Sequence, residues 1–144
     1  MKAQEYLKQI EKLDVLIKNK LIEKQHWKEV ALGVTPQMGG ERVQSSGNQQ
    51  KMASAIERMV DLERELDECV DRLIKTRNDV IATIEQLSPE EYDFLHLVYV
   101  QHLTLKEVSE KKNYSYSWAT TFHGRALERV QRILDKKCCK VYTL

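Results

Sequence analysis

The sequence predicts an all-α protein: a long antiparallel helical hairpin, a coiled-coil arm, over residues 1–87, followed by a helix-turn-helix module over residues 88–144. Three observations carry that expectation. Apolar residues recur at steps of four and three along two long segments, which is helical and not strand periodicity. A dense run of helix breakers, the loop 32–50, separates those segments. Near the C-terminal end, three helix-start signals follow one another at Ser88, Thr104 and Ser115. The 144 residues leave room for one compact domain, or for a small module with an extended arm. Hydrophobic residues make up 42% and charged residues 31%, a balance that suits an ordered chain with much surface better than a disordered one.

The first helix is expected from Lys2 to about Ala31. Tyr6, Ile10, Leu13 and Ile17 step by four, three and four, Trp27 and Ala31 return to the series, and Leu7, Leu16 and Leu21 widen the stripe. Lys20 and Lys24 interrupt it, so the seam is a loose coiled coil. Pro36, Gly39, Gly40, Ser45, Ser46 and Gly47 then break regular structure. Ser46 and Gln49 have capping-box spacing, which places the second helix start near Gly47 or Asn48. From there Met52, Ile56, Met59, Leu66, Val70, Leu73, Val80, Ile84 and Leu87 follow a four-three alternation broken only by Glu63 and Arg77. A helix of roughly 38 residues spans about 57 Å. Two such helices joined by a break suggest a hairpin that buries its seams internally or zips against a second copy, so a homo-oligomer, a dimer through the arm, is an expected partner.

Ser88, Pro89 and Glu91 supply an N-cap, a first-turn proline and the closing residue of a capping box. The helix they open has Tyr92, Leu95, Val98 and Tyr99 as its expected core face, closed by Leu103. Thr104 and Glu107 form a second box before a short helix with Leu105 and Val108 inward. Asn113 sits where a tight turn needs a residue tolerant of left-handed backbone, Tyr114 is expected to plug the core, and Ser115 caps a third helix. That helix has Ala119, Phe122, Ala126, Val130 and Ile133 on its inner stripe. Cap, short helix, turn, cap and helix is the order of a helix-turn-helix.

Several function classes are disfavoured. No run of 18 apolar residues occurs, and Met1 to Glu5 leads directly into amphipathic pattern, so a soluble, cytoplasmic protein without a membrane partner is expected. Cys69, Cys138 and Cys139 form no C-x-x-C pair, and His26, His96, His102 and His123 lie at no ligand spacing around them, so neither a metal nor a cofactor is expected. Adjacent Cys138 and Cys139 read as free thiols. No glycine-rich phosphate loop, nucleophile elbow or acid/base cluster suggests an enzyme. The net charge of +1 conceals a gradient. Residues 104–144 hold nine Lys/Arg against four Asp/Glu, and residues 51–87 hold six against nine. An acidic arm and a basic tail are expected if the tail alone approaches phosphate.

The gapless stretch from Leu87 to Leu127 resembles region 4 of bacterial sigma factors. The matches are Tyr99, Leu103-Thr104-Leu105, Glu107-Val108, Ser115 and Arg125-Ala126-Leu127. The whole chain, with its arm and the segment Glu41 to Ser46, is similar to phage-encoded regulators of the ArpU and RinA late-transcription families. The resemblance implies sequence-specific binding of double-stranded DNA, control of late phage genes in a bacterial host cell, and contact with host RNA polymerase. It places Tyr116, Ser117, Trp118, Thr120 and Thr121 at base edges. These positions depart from the sigma pattern, which carries charged residues at several of them, and that argues against an ordinary promoter element as target. Arg125, Arg129, Arg132 and Lys136 step by four, three and four as a cationic stripe suited to phosphates. Two alternatives stand beside this expectation: a small terminase-like DNA-packaging subunit, and a region 4 mimic that binds polymerase without DNA.

Overall fold

A computed structural model describes residues 1–33 and 47–141. Every regular element among them is helical: α1 (Ala3–Leu7), α2 (Gln9–Ala31), α3 (Gly47–Ile84), α4 (Pro89–Leu95), a π-turn (His96–Val100), α5 (Leu105–Lys112) and α6 (Tyr116–Val141). Among the described residues no helix is long and apolar enough to cross a membrane. Ser46 and most of the expected loop, including Glu41 to Ser46, lie outside the described residues. α3 begins at Gly47, where the spacing of Ser46 and Gln49 puts the helix start, so residues 47–50 belong to the helix and not to the loop 32–50.

The chain's contacts divide it into two units, Met1–Leu13 with Leu73–Leu144, and Asp14–Arg72, instead of at residue 87. The physical reason is that the core of the first unit recruits Ala3, Leu7 and Ile10 from the start of the chain and Val80 and Ile84 from α3. These residues surround Phe94, Leu95, Leu97, Tyr99, Val100, Val108, Ala119, Ala126 and Val130. α1 is tied to α6 by a long-range bond: the backbone N–H of Ala3, which has no side-chain cap of its own, donates to Gln131 Oε1 at 2.7 Å. Tyr6 reaches the buried Thr83 hydroxyl at 3.0 Å.

The expected first helix is interrupted at Lys8. Its backbone stays right-handed but ψ opens to −7°, a local distortion that keeps the bonds from the Lys8 N–H to Gln4 O at 3.0 Å and from the Lys12 N–H to Lys8 O at 3.2 Å.

In the Asp14–Arg72 unit, Lys20 and Lys24 remain beside the seam by pairing with Glu65 at 2.7 Å and Glu63 at 2.9 Å. Arg58 bonds Glu23 at 3.3 Å. The hydrogen bond from Lys20 holds the Glu65 carboxyl below its ordinary range and raises the lysine in turn.

The seam of α3 differs in register from the expected one. Ala55, Leu62, Leu66, Cys69, Val80 and Thr83 are buried and Met59, Leu73 and Thr76 half-buried, a four-three series throughout. Met52, Ile56 and Val70 are exposed, as are Leu16 and Leu21 on α2. The two candidate series on α3 share Met59, Leu66, Leu73 and Val80. The observed one replaces Glu63 and Arg77 by Leu62 and Thr76, and so keeps both charges out of the seam. Ile84, from the expected series, is fully buried as well.

The π-turn also re-phases a face. The Gln101 N–H donates to His96 O at 2.9 Å, five residues back, which inserts an extra residue into the turn. Phe94, Leu95, Leu97, Tyr99 and Val100 are therefore buried, whereas Tyr92 and Val98, expected inside, are only half-buried.

Candidate functional site

Local hydrogen bonding fixes the geometry around α5 and α6. The Thr104 hydroxyl accepts from the Glu107 N–H at 3.2 Å and starts α5. At its other end Asn113 adopts φ 59° and ψ 39°, the left-handed conformation. The Asn113 N–H then donates to Glu110 O at 3.3 Å and the Tyr114 N–H to Ser109 O at 2.9 Å. This pair of bonds is a Schellman closure, with asparagine in the place glycine usually takes. The Ser115 hydroxyl accepts from the Trp118 N–H at 3.1 Å and opens α6 at the next residue, Tyr116. The small, buried Ser109 and Val108 lie on the inner side of α5, and Ala119 and Ala126 on that of α6.

An aromatic stack steadies the first turns of α6. Tyr114 and Trp118 stack with centroids 4.0 Å apart, Trp118 and Phe122 at 4.9 Å, and the buried Phe94 meets Phe122 edge-on at 5.0 Å. Trp118 is half-buried with both ring faces covered, so its indole supports α6 from the side. Tyr114 corrects the sequence expectation of a core plug: it is 56% exposed, because only one ring face is covered, by Trp118.

The other residues expected at base edges share the open side of α6. Tyr116, Ser117, Thr120 and Thr121 are all exposed. The Thr120 hydroxyl donates to Tyr116 O at 2.7 Å and the Thr121 hydroxyl to Ser117 O at 3.0 Å. Each hydroxyl proton is thereby held by the helix, which leaves oxygen lone pairs and methyl groups facing outward. Gly124 continues the same side, and a Cβ built there meets nothing within 4 Å.

The cationic stripe is present but uneven. Arg125 and Arg132 are exposed and, among the described residues, face no carboxylate within ion-pair distance. Arg129 instead bonds Glu91 of α4, whose carboxylate is buried and also accepts from the Ser88 hydroxyl at 2.8 Å. Lys136 lines an open cavity of about 500 Å³ with Gln86, Ile133, Lys137 and Lys140. Sequence reasoning missed Glu91, since its place in a capping box already explained it. The signal that could have found it is the second carboxylate, Glu90, which makes Glu91 redundant for first-turn charge alone. Lys112 pairs with Asp93 and fastens the end of α5 to α4.

One polar pair lies inside this module. The Tyr99 hydroxyl and His123 Nε2 are 2.6 Å apart, with the rings stacked at 5.7 Å. Burial pushes the Tyr99 phenol up to about 12, so it keeps its proton. Burial, aided by Lys8, lowers His123. A protonated phenol and a neutral imidazole fit a bond in which the tyrosine donates.

Among the described residues no group of three or more His, Cys, Asp or Glu side chains lies close enough to hold a metal ion. Compared with family models, curated proteins and solved structures, the chain matches none.

Proposed function

We propose that the chain is a sequence-specific regulator of transcription that binds double-stranded DNA through a helix-turn-helix of the sigma region 4 kind, with α6 as recognition helix. The observation that carries this is the left-handed bend at Asn113 between two side-chain-capped helices. It leaves Tyr116, Ser117, Thr120 and Thr121 on the open side of α6 while Ala119 is sealed inside. An α-helix fits the major groove, and hydroxyl oxygens and methyl groups match base amino groups and thymine methyls. Arg125, Arg132 and Lys136 supply phosphate contacts along the same helix, and Trp118 braces it. By the resemblance quoted above, the targets are late genes of a phage, and host RNA polymerase is a second partner.

Footprinting on DNA of the encoding element tests this. A protected site bound at about 10⁻⁸ M or tighter at moderate salt is expected. Thr121→Ala or Arg125→Ala should weaken it by about 1–3 kcal/mol. Absence of any protected site would count decisively against the proposal.

The arm is proposed to form a coiled-coil hairpin and to pair two chains. Support comes from Ile56, Val60 and Val70, which stand exposed on α3. Light scattering on the full chain checks it: a dimer is expected, and a large closed ring would favour the packaging alternative instead.

A further inference from the structure

Arg129 belongs by spacing to the stripe of Arg125 and Arg132, yet its surroundings are unlike theirs. One of its terminal nitrogens bonds Glu91 Oε1, the oxygen that also accepts from Ser88. Glu91 is 7% exposed, and its second oxygen, Oε2, is buried without a hydrogen-bond partner. A buried carboxylate this poorly bonded depends on its counter-ion, because removing the guanidinium would leave an uncompensated charge away from water. Arg129 therefore cannot swing from Glu91 to another anion without a penalty. It can, however, serve both at once. A guanidinium has five N–H donors in a flat fork, and the Arg129 side chain remains 58% exposed.

We propose that Glu91 is a positioning residue: it holds Arg129 in one rotamer, with the outward edge of its guanidinium fixed beside Arg125 and Arg132 to receive a DNA phosphate. This rests on the DNA-binding function proposed above. Freezing a long side chain before the encounter removes an ordering penalty from binding itself. Neither Arg125 nor Arg132 has such a brace among the described residues, so Arg129 is the pre-set member of the stripe.

The test is the salt dependence of duplex DNA binding by the full chain, followed by fluorescence anisotropy, for the native protein, Glu91→Gln, Arg129→Gln and the double variant, with Arg125→Gln as reference. Arg129→Gln should reduce the log-log salt slope by about 0.9, the value for one phosphate. Glu91→Gln should weaken binding by about three- to tenfold, the range expected for one side chain losing its fixed conformation. The double variant should bind no worse than Arg129→Gln alone, since Glu91 acts only through Arg129. Three outcomes overturn the proposal: tighter binding by Glu91→Gln, which would make the carboxylate a competitor of phosphate; independent, multiplying effects of the two substitutions; or an unchanged slope in Arg129→Gln.

Should Glu91→Gln fail to fold, Arg129→Lys decides the matter. It keeps the charge and loses the fork, so a phosphate contact predicts a retained slope with weaker binding. A purely structural arginine predicts a slope unmoved in both Arg129 variants. Failure of the parent function looks different: the native chain would show no salt-dependent binding, or Arg125→Gln would have no effect.

Discussion

Asn113 is the residue on which the bend between α5 and α6 turns, and replacing it gives a graded test. Its φ of 59° and ψ of 39° lie where an L-residue with a Cβ pays roughly 1–2 kcal/mol, a penalty that asparagine partly escapes and glycine escapes entirely. Asn113→Ala should therefore lower stability by about 1 kcal/mol. The β-branched Asn113→Val should lose more, toward about 2 kcal/mol, while the two backbone bonds to Glu110 and Ser109 remain available in all variants. Asn113→Gly should lie at or slightly above the native stability, its relief of strain offset by greater freedom in the unfolded chain. Urea unfolding followed by tryptophan fluorescence reads this, in a Trp27→Phe background so that Trp118 alone reports. With an m-value of roughly 2 kcal/mol/M, a loss of 1 kcal/mol moves the midpoint by about 0.5 M. Equal midpoints for the alanine and glycine variants would refute the left-handed bend.

The register of α3 can be read from a pair of substitutions. Leu62→Ala, at a fully buried position, should cost about 2–5 kcal/mol, and Val70→Ala, at a 40% exposed one, well under 1 kcal/mol; chemical denaturation of both variants distinguishes the two seams. Gly124→Ala fills open space on an exposed helix face, so it should raise stability by roughly 0.5–1 kcal/mol, measured by thermal melting followed by circular dichroism. His123 is lowered in the folded chain relative to its usual 6.5, so the unfolded state takes up the proton first as pH falls. Its contribution is complete above about pH 6.5 and lost progressively below it, and His123→Gln should flatten that limb of the stability profile.

What the sequence discloses here follows the range of the forces involved. The helix starts at Ser88, Thr104 and Ser115 and the left-handed Asn113 were all legible, because a hydroxyl capping an amide three residues away needs nothing beyond its own segment. The seam of α3 was not, since two adjacent four-three series share Met59, Leu66, Leu73 and Val80. Choosing between them requires knowing that Cys69 and Thr83 are buried and Ile56 is not, which the packed helices decide. The π-turn at His96–Val100 escaped for a related reason: no residue type announces it, and it shifts the buried face onto Phe94 and Leu97. Docking of Met1–Leu13 with α6 buries Ala3, Leu7 and Ile10 and joins Ala3 to Gln131, 128 residues apart, which no local pattern encodes.

The candidate site divides along the same line. Spacing alone places Tyr116, Ser117, Thr120 and Thr121 on one side of α6 and four cations along another, and their exposure in the folded chain agrees with that arithmetic. Spacing treats Arg125, Arg129, Arg132 and Lys136 as equivalent, and tertiary structure makes them unequal. Arg129 falls closest to the inner line of Ala126 and Val130 and so meets Glu91, whereas Arg125 and Arg132 have no carboxylate within ion-pair distance among the described residues. A cation held by a buried acid is fixed in place, and a cation in open solvent must be ordered on binding. A stripe that is uniform in sequence is thus mechanically graded, with its most rigid point at the residue whose removal would also leave a buried charge unpaired.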